Sequence, residues 1–358
     1  MSMTPISRRV FLAQASALGL AAAVVRQPAF AAVPASVPAP AYPDKFHQDG
    51  GLVIVPSKGK LYIASDFHTR HADFQKWLTK TSIVEKLRNE KDAYGLILGD
   101  AVDMKPNDPQ AEKDGDSRIV DKIREIQTTL GEDGKRLIFI QGNHESEVVR
   151  VYGLLKKHFA LDAKNRARLI AALYASQDGL FYQQFNFLER ISDEQFAYLK
   201  ELPVAVLTKS GVVGVHAGPS KSAKTSKDLA NKTEAIVDEL VWSRPAEIAE
   251  IPGKGYTPED LAAFLEVMEG SGLVVSGHTP LSSLLPEWVQ NGIGVFAERQ
   301  IILATSYGSA PGDKSYLVLD LAKRYTGAQD LPPGKELQIL EPKVGLAPPA
   351  CLTRQIFA

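Results

Sequence analysis

Short apolar runs recur along the chain, and most have the length of a buried strand rather than of a helix. The first is Leu52-Val53-Ile54-Val55. Further runs lie at 61–65, 95–98 and 137–140, with a helical stretch between each and the next. Between 65 and 95, Phe74, Leu78, Val84 and Leu87 recur at helical spacing and predict a helix over about 71–90. A second helix is expected at 117–130, a third from Glu145 to about His158, and another at Ala163–Ala175. Ser192-Asp193-Glu194-Gln195 and Thr257-Pro258-Glu259-Asp260 are helix starts with a cap and acids behind it. Strands are expected near 203–207, 212–215, 273–275, 301–304 and 316–320, with a helix at about 224–240. The aromatic segment 181–187 reads either as packing beneath a loop or as a cleft wall. This alternation of strands and helices predicts an α/β sandwich.

The residues just past these strands carry more information than the strands themselves. Tyr62-Ile63-Ala64 leads to Asp66 and His68, and Leu96-Ile97-Leu98 leads to Asp100 and Asp103. Leu137 to Ile140 leads to Asn143 and His144, Val212 to Val215 leads to His216, and Leu273-Val274-Val275 leads to His278. Five buried strands thus deliver Asp, Asn or His at their carboxyl ends, where open α/β sheets collect ligands and metals. One such turn would carry no weight. Five of them read as a metal centre.

Asp100 is the natural carboxylate to bridge two cations. Asp66 and His68, two apart on extended chain, can grip the first cation together. Asn143, His216 and His278 can hold the second. His144 is left over from the ligand set, and Asp103 is placed to orient its ring, which is an acid–base arrangement.

Composition narrows the choice. A chain of 358 residues, 44% hydrophobic, can bury a large core. Cys351 is the only cysteine, which excludes an intramolecular disulfide and a cysteine-based zinc site. The net charge is −1, and residues 1–31 hold Arg8, Arg9 and Arg26 with no acids, so the remainder is more acidic still. A nucleic-acid partner is not expected of such a surface.

The ordered series Asp66-x-His68, Gly99-Asp100-Ala101-Val102-Asp103, Gly142-Asn143-His144-Glu145-Ser146, Val215-His216-Ala217-Gly218 and Gly277-His278-Thr279 resembles the calcineurin-like metallophosphoesterases, and more narrowly the PPP-type phosphatases. Leu240 to Pro245 is similar to the tryptophan–serine motif of that branch, and Ser306-Tyr307-Gly308 to its late groove loop. The resemblance implies a four-layer αββα sandwich of two mixed sheets flanked by helices. It also implies two divalent metal ions, manganese first and iron or zinc as alternatives, and a metal-bridging hydroxide that attacks the phosphoester while His144 protonates the leaving oxygen. Two positions depart from the pattern. Met104-Lys105 follow Asp103 where the PPP phosphatases have Arg-Gly, and Thr69 stands where the first motif ends in glycine. The phosphate-binding arginine of that motif is therefore missing, and Arg70, Arg150, Arg244 and Lys105 are the candidate replacements.

The expected activity is hydrolysis of phosphomonoesters, on small molecules or on phosphorylated Ser, Thr or Tyr side chains. A phosphodiesterase or dinucleoside-polyphosphate hydrolase of the same fold is the alternative, and a non-catalytic periplasmic binding protein the third reading.

The expected organisation is a signal peptide at 1–31, a Pro/Ala-rich linker at 32–50, one catalytic domain at 51–345 and a tail at 346–358. Arg8-Arg9 before the apolar run Ala15 to Val25, with Ala29-Phe30-Ala31 as an A-x-A cleavage site, resembles a bacterial twin-arginine signal. That implies the twin-arginine machinery as a partner, a periplasmic or secreted location, and no stable membrane insertion after cleavage. Replacing both arginines with lysine should trap the precursor in the cytoplasm, as read by fractionation. Export of the double variant at the parent's level would contradict the signal assignment.

Overall fold

A computed structural model of the chain describes residues 42–105, 107–158, 165–170, 185–310 and 312–342. The expected signal peptide, most of the linker, the C-terminal tail and residues 181–184 of the aromatic segment lie outside the described residues.

Two mixed sheets form the centre. The larger has eight strands, in the order His47–Asp49, Leu52–Val55, Ala205–Thr208, Val212–Val215, Leu273–Ser276, Gln300–Ile302, Ile293–Phe296 and Val289–Gln290. The smaller has five, in the order Leu337–Glu341, Lys314–Asp320, Lys60–Ala64, Ala93–Ile97 and Leu137–Phe139. Lys60–Ala64, Ala93–Ile97 and Leu137–Phe139 run parallel. So do Val212–Val215, Leu273–Ser276 and Gln300–Ile302 in the other sheet.

The period-two geometry of a strand explains the layering. Leu61 and Ile63 point into a core shared with Val53, Val55, Val206, Val212 and Val275 of the other sheet. Their neighbours Tyr62 and Ala64 face the opposite way, against Phe74, Trp77, Ile119 and Ile123 of helices His71–Thr81 and Gly115–Leu130. On the far side Leu52, Ile54, Val213 and Val215 pack on Leu240, Leu261 and Phe264, from helices Glu234–Trp242 and Pro258–Val267. Both faces of each sheet are apolar because both are covered. The result is the four-layer arrangement of two mixed sheets between helices.

Several local expectations shift. The stretch expected as one helix over 71–90 is two, His71–Thr81 and Ile83–Asn89, broken at Ser82 by a left-handed backbone with φ of 50°. Likewise 224–240 divides into Ser226–Asn231 and Glu234–Trp242 at Lys232, whose φ is 47°. The folded part begins before residue 51: His47–Asp49 pairs antiparallel with Leu52–Val55, and Tyr42 is buried. The linker expected over 32–50 therefore ends earlier, because pairing on a sheet edge orders a segment whose composition does not demand it. The capped starts at Ser192 and Thr257 are as expected, each with a reciprocal capping box. Among the described residues no helix is long and apolar enough to cross a membrane.

Candidate metal centre

The parallel strands of both sheets end on one side, and the loops at those ends bring the expected polar residues together. These loops bend sharply. Asp66, His68, Asp100, Asp103 and His278 adopt φ of 54°, 41°, 54°, 79° and 67°, in the left-handed region that side chains other than glycine seldom occupy. Each such residue costs on the order of 1–3 kcal/mol, and surrounding contacts must hold it there. Gly142 shows how close the loops come: a Cβ at that position would meet the Asp100 backbone nitrogen at 2.6 Å and Glu145 Oε2 at 2.7 Å.

Glu145 supplies most of the holding. Its buried carboxylate accepts hydrogen bonds from the backbone nitrogens of Gly142 and Asp100 at 2.9 Å, Ala101 at 2.8 Å and Val102 at 3.2 Å. It thereby ties the loop after Ala93–Ile97 to the start of helix Asn143–His158. Sequence reasoning quoted Glu145 within its motif but gave it no role. Most of its partners are backbone groups some forty residues away, and no side-chain pattern reports them.

Asp100 Oδ2 is the centre of the cluster. It lies 3.3 Å from both His68 Nε2 and His216 Nε2, and 3.8 Å from His144 Nε2. Asn143 Oδ1 lies 2.9 Å from His216 Nε2 and 3.0 Å from His278 Nδ1. Asp66 sits 3.8 Å from His68 and accepts the backbone N–H of His278. The ring nitrogens that face away from the cluster are also held, His216 Nδ1 on the Leu98 carbonyl at 2.6 Å and His68 Nδ1 on the Val102 carbonyl at 3.2 Å. Such contacts fix ring orientation and are typical around metal-binding imidazoles. All six expected ligands are brought together and buried.

The geometry divides the donors into two groups sharing Asp100: His68, Asp100 and His144, and Asp100, His216 and His278, each with atoms within 4.8 Å of one another. Carboxylate, amide and imidazole donors suit divalent first-row metals. The residues present fit two such ions with Asp100 between them. The first group also admits His144, which sequence reasoning reserved for proton transfer. Its surroundings favour that role. Asp103 Oδ2 lies 2.9 Å from His144 Nδ1 and fixes the ring, leaving Nε2 at the cavity.

Burial and charge act against each other here. Burial raises the Asp66 carboxyl to about 7, with Asp100 adding to the effect against His216. Burial also works against ionised Asp100, but the imidazoles of His216, His144 and His68 outweigh it and hold its carboxyl well below the usual range. Burial lowers His68 to about 4, with Lys105 contributing. For His216 the carboxylate of Asp100 overcomes burial and raises the ring to about 9.

The centre opens into a cavity of about 560 Å³, walled beyond the expected ligands by Trp242, Arg244, Ile251 and Tyr307. Of the three arginines expected to bind phosphate, only Arg244 lines it. Its Nε is buried without a hydrogen-bond partner among the described residues. Arg70 instead forms a two-pronged pair with Asp108, at 2.7 and 3.0 Å, and donates to the Ser306 carbonyl. Arg150 pairs with Glu147 on its own helix. Asp73, in the first turn of helix His71–Thr81, is buried against Lys314 and accepts from Ser306 Oγ at 2.6 Å. These contacts pin the loop that carries Tyr307, whose ring lies edge-on to His68 with centroids 5.0 Å apart.

Residues 59–282 match the family described as Calcineurin-like phosphoesterase. The chain belongs to that family. As a calcineurin-like phosphoesterase it is a metal-dependent phosphoric ester hydrolase. No match was found among the curated proteins. Among solved structures it is similar to a protein serine/threonine phosphatase from Saccharomyces cerevisiae with similarity to human phosphatase PP5. The identity is 16%, the TM-score 0.50, and 82% of each chain is covered. It is also similar to a cold-active protein-tyrosine phosphatase of a psychrophilic Shewanella, at 16% identity over 78% of this chain and 79% of that one, with TM-score 0.43. A metallophosphoesterase from Sphaerobacter thermophilus is 16% identical over 74% of this chain and 84% of that one, with TM-score 0.39. At 16% identity the likeness to the yeast phosphatase is one of fold.

Replacing Glu145 with Gln would turn an amide N–H₂ toward backbone donors and leave two of them unsatisfied. At roughly 1–3 kcal/mol for each buried unsatisfied group, Glu145→Gln should lose about 2–6 kcal/mol of stability in chemical denaturation. Its metal content should fall as well. Parent-like stability and metal content would show that Glu145 does not anchor these loops.

Proposed function

We propose that this calcineurin-like phosphoesterase is an exported phosphatase of the PPP type that hydrolyses phosphomonoesters. The substrate is a small molecule or a phosphorylated Ser, Thr or Tyr side chain. The observation that carries the reading is the His144–Asp103 pair, 2.9 Å apart, beside the donor cluster centred on Asp100. A protein that only bound phosphoesters would have no use for an oriented imidazole in addition to a complete ligand set. The PPP assignment is supported by Trp242, which fits the expected motif and lies edge-on to His278 with ring centroids 6.0 Å apart. Export rests on the resemblance of residues 1–31 to a twin-arginine signal.

Asp66, His68, Asp100, Asn143, His216 and His278 would hold the two cations, with manganese the expected metal and iron or zinc as alternatives. When bound, such cations act as Lewis acids on the phosphoryl group and make water acidic enough to supply the nucleophile. The chain's own residues do the rest. Arg244 meets the phosphoryl oxygens from the His278 side, where its charge opposes protonation of that ring. His144 presents Nε2 to the leaving oxygen and gives up a proton as the P–O bond breaks. Asp103 holds the ring through Nδ1 and stabilises its charged form.

Loss of a general acid costs about 10²–10⁴-fold in rate. An alkoxide needs that proton and a nitrophenolate leaves almost unaided, so the cost depends on the leaving group. His144→Asn should keep its metals, lose most activity on alkyl phosphates, and lose distinctly less on p-nitrophenyl phosphate. Asp103→Asn should show a weaker form of the same pattern. Paired kinetics with metal analysis decide the matter: a variant that loses a metal, or slows equally on both substrates, assigns His144 to another role. A panel of monoesters, diesters, dinucleoside polyphosphates and phosphopeptides tests the substrate class, and a preference for diesters or polyphosphates would contradict it.

A further inference from the structure

The chain has Met104-Lys105 after Asp103, and the backbone at Asp103 turns through a left-handed conformation with φ of 79°. That turn returns the Lys105 side chain over the carboxylate it has just passed. Lys105 is largely buried, with 13% of its side chain exposed, and it lines the cavity. Its Nζ lies 3.3 Å from Asp103 Oδ2 and 2.8 Å from His144 Nε2. It also lies over the Tyr307 ring, 5.7 Å from the centroid. The ammonium therefore touches the nitrogen that serves the leaving oxygen.

We propose that Lys105 is a substrate-contacting residue on the leaving-group side of the phosphoryl group, and that it selects dianionic phosphomonoesters over diesters. The proposal rests on the phosphatase reading above and deepens it. An oxygen accepting a proton from His144 Nε2 must sit about 2.6–3.2 Å from that nitrogen. Lys105 Nζ already occupies this shell, so a bound phosphoester places its bridging or neighbouring oxygen within reach of the ammonium. Lysine carries three N–H donors and accepts nothing. Contact to Asp103 uses one. The N–H facing His144 Nε2 has an acceptor there only while that nitrogen is unprotonated, so when Nε2 carries the proton for the leaving oxygen two donors are left for an oxyanion. Orienting His144 does not require Lys105, because Asp103 already bonds Nδ1. Arg244 lines the cavity two residues beyond Trp242, whose ring lies edge-on to His278, and Lys105 lies by His144, so the two cations approach a phosphoryl group from different sides of the centre. A monoester offers an oxyanion to each. A diester has exchanged one of those oxygens for an ester and forfeits one contact. In this scheme Lys105 only donates a hydrogen bond: the proton that leaves with the alcohol comes from His144.

The test uses metal-loaded parent, Lys105→Met, Lys105→Gln and Lys105→Arg, with inorganic phosphate as the probe in calorimetry and a matched aryl monoester and diester in kinetics. A hydrogen bond between charged partners is among the strong ones. Loss of it in Lys105→Met and Lys105→Gln should weaken phosphate binding about 10–100-fold and lower kcat/KM for the monoester by a similar factor. The diester should change distinctly less, metal content should stay at the parent's value, and the variants should remain folded with at most a lowered melting temperature from the lost pair with buried Asp103. Lys105→Arg should recover most of the phosphate binding. Both neutral variants binding phosphate as tightly as the parent, with the monoester-to-diester ratio unchanged, would overturn the proposal. So would a shift of the pH–rate profile alone, which would mark Lys105 as a residue that only tunes His144. A parent that hydrolyses no phosphoester refutes the phosphatase reading itself. An active parent with indifferent Lys105 variants refutes only the present inference.

Discussion

The site depends on one carboxylate that does not line the cavity. Glu145 gathers four backbone N–H groups from two loops and so fixes where Asp100, Asn143 and His144 begin. Burying a carboxylate is costly unless its lone pairs are satisfied, and here they are satisfied by the segments that need positioning. Burial and the neighbouring Asp100 charge raise the Glu145 carboxyl above its usual range, which measures how far this group has been taken from water. The left-handed conformations at Asp100 and Asp103 are held against that anchor. Tyr307 N–H on the Asp66 carbonyl, at 2.9 Å, plays a smaller version of the same part for the loop after Lys60–Ala64.

With the loops fixed, charge balance governs the centre. Asp66, Asp100, Asp103 and Glu145 are all buried, as are His68, His144, His216 and His278. Such a cluster is expensive by itself, and the opposed shifts of Asp66 and Asp100, and of His68 and His216, reflect that cost. Divalent cations held by these residues would relieve it, because they would favour ionised carboxylates and neutral imidazoles together. The same charge logic extends outward to Arg244 and Lys105, which suit the cavity to an anionic substrate.

The sequence made the ligand set legible for a definite reason. Strands covered on both faces read as unbroken apolar runs, so the polar residues at their ends stand out. Asp66, His68, Asp100, Asn143, His216 and His278 all came from that contrast, and the structure brings all six together. The features that stayed hidden depend on long-range geometry. Glu145 acts on distant backbone. Nothing near Asp73 in the chain signals its buried ion pair, because its partner Lys314 lies 241 positions away. The sequence does not report an arginine's reach, and of the candidates Arg70 and Arg150 are engaged by Asp108 and Glu147. The edge strands His47–Asp49, Val289–Gln290 and Leu337–Glu341 are ordered by pairing, not by their own pattern.

The central claim is that Asp100 is shared by two metal positions while His278 belongs to one. Metal analysis of the parent, Asp100→Ala and His278→Ala after identical manganese loading tests it most directly. Two ions per chain are expected in the parent, about one in His278→Ala, and little of either in Asp100→Ala, with all three proteins folded. Two ions retained in Asp100→Ala, or none bound by the parent, would contradict it.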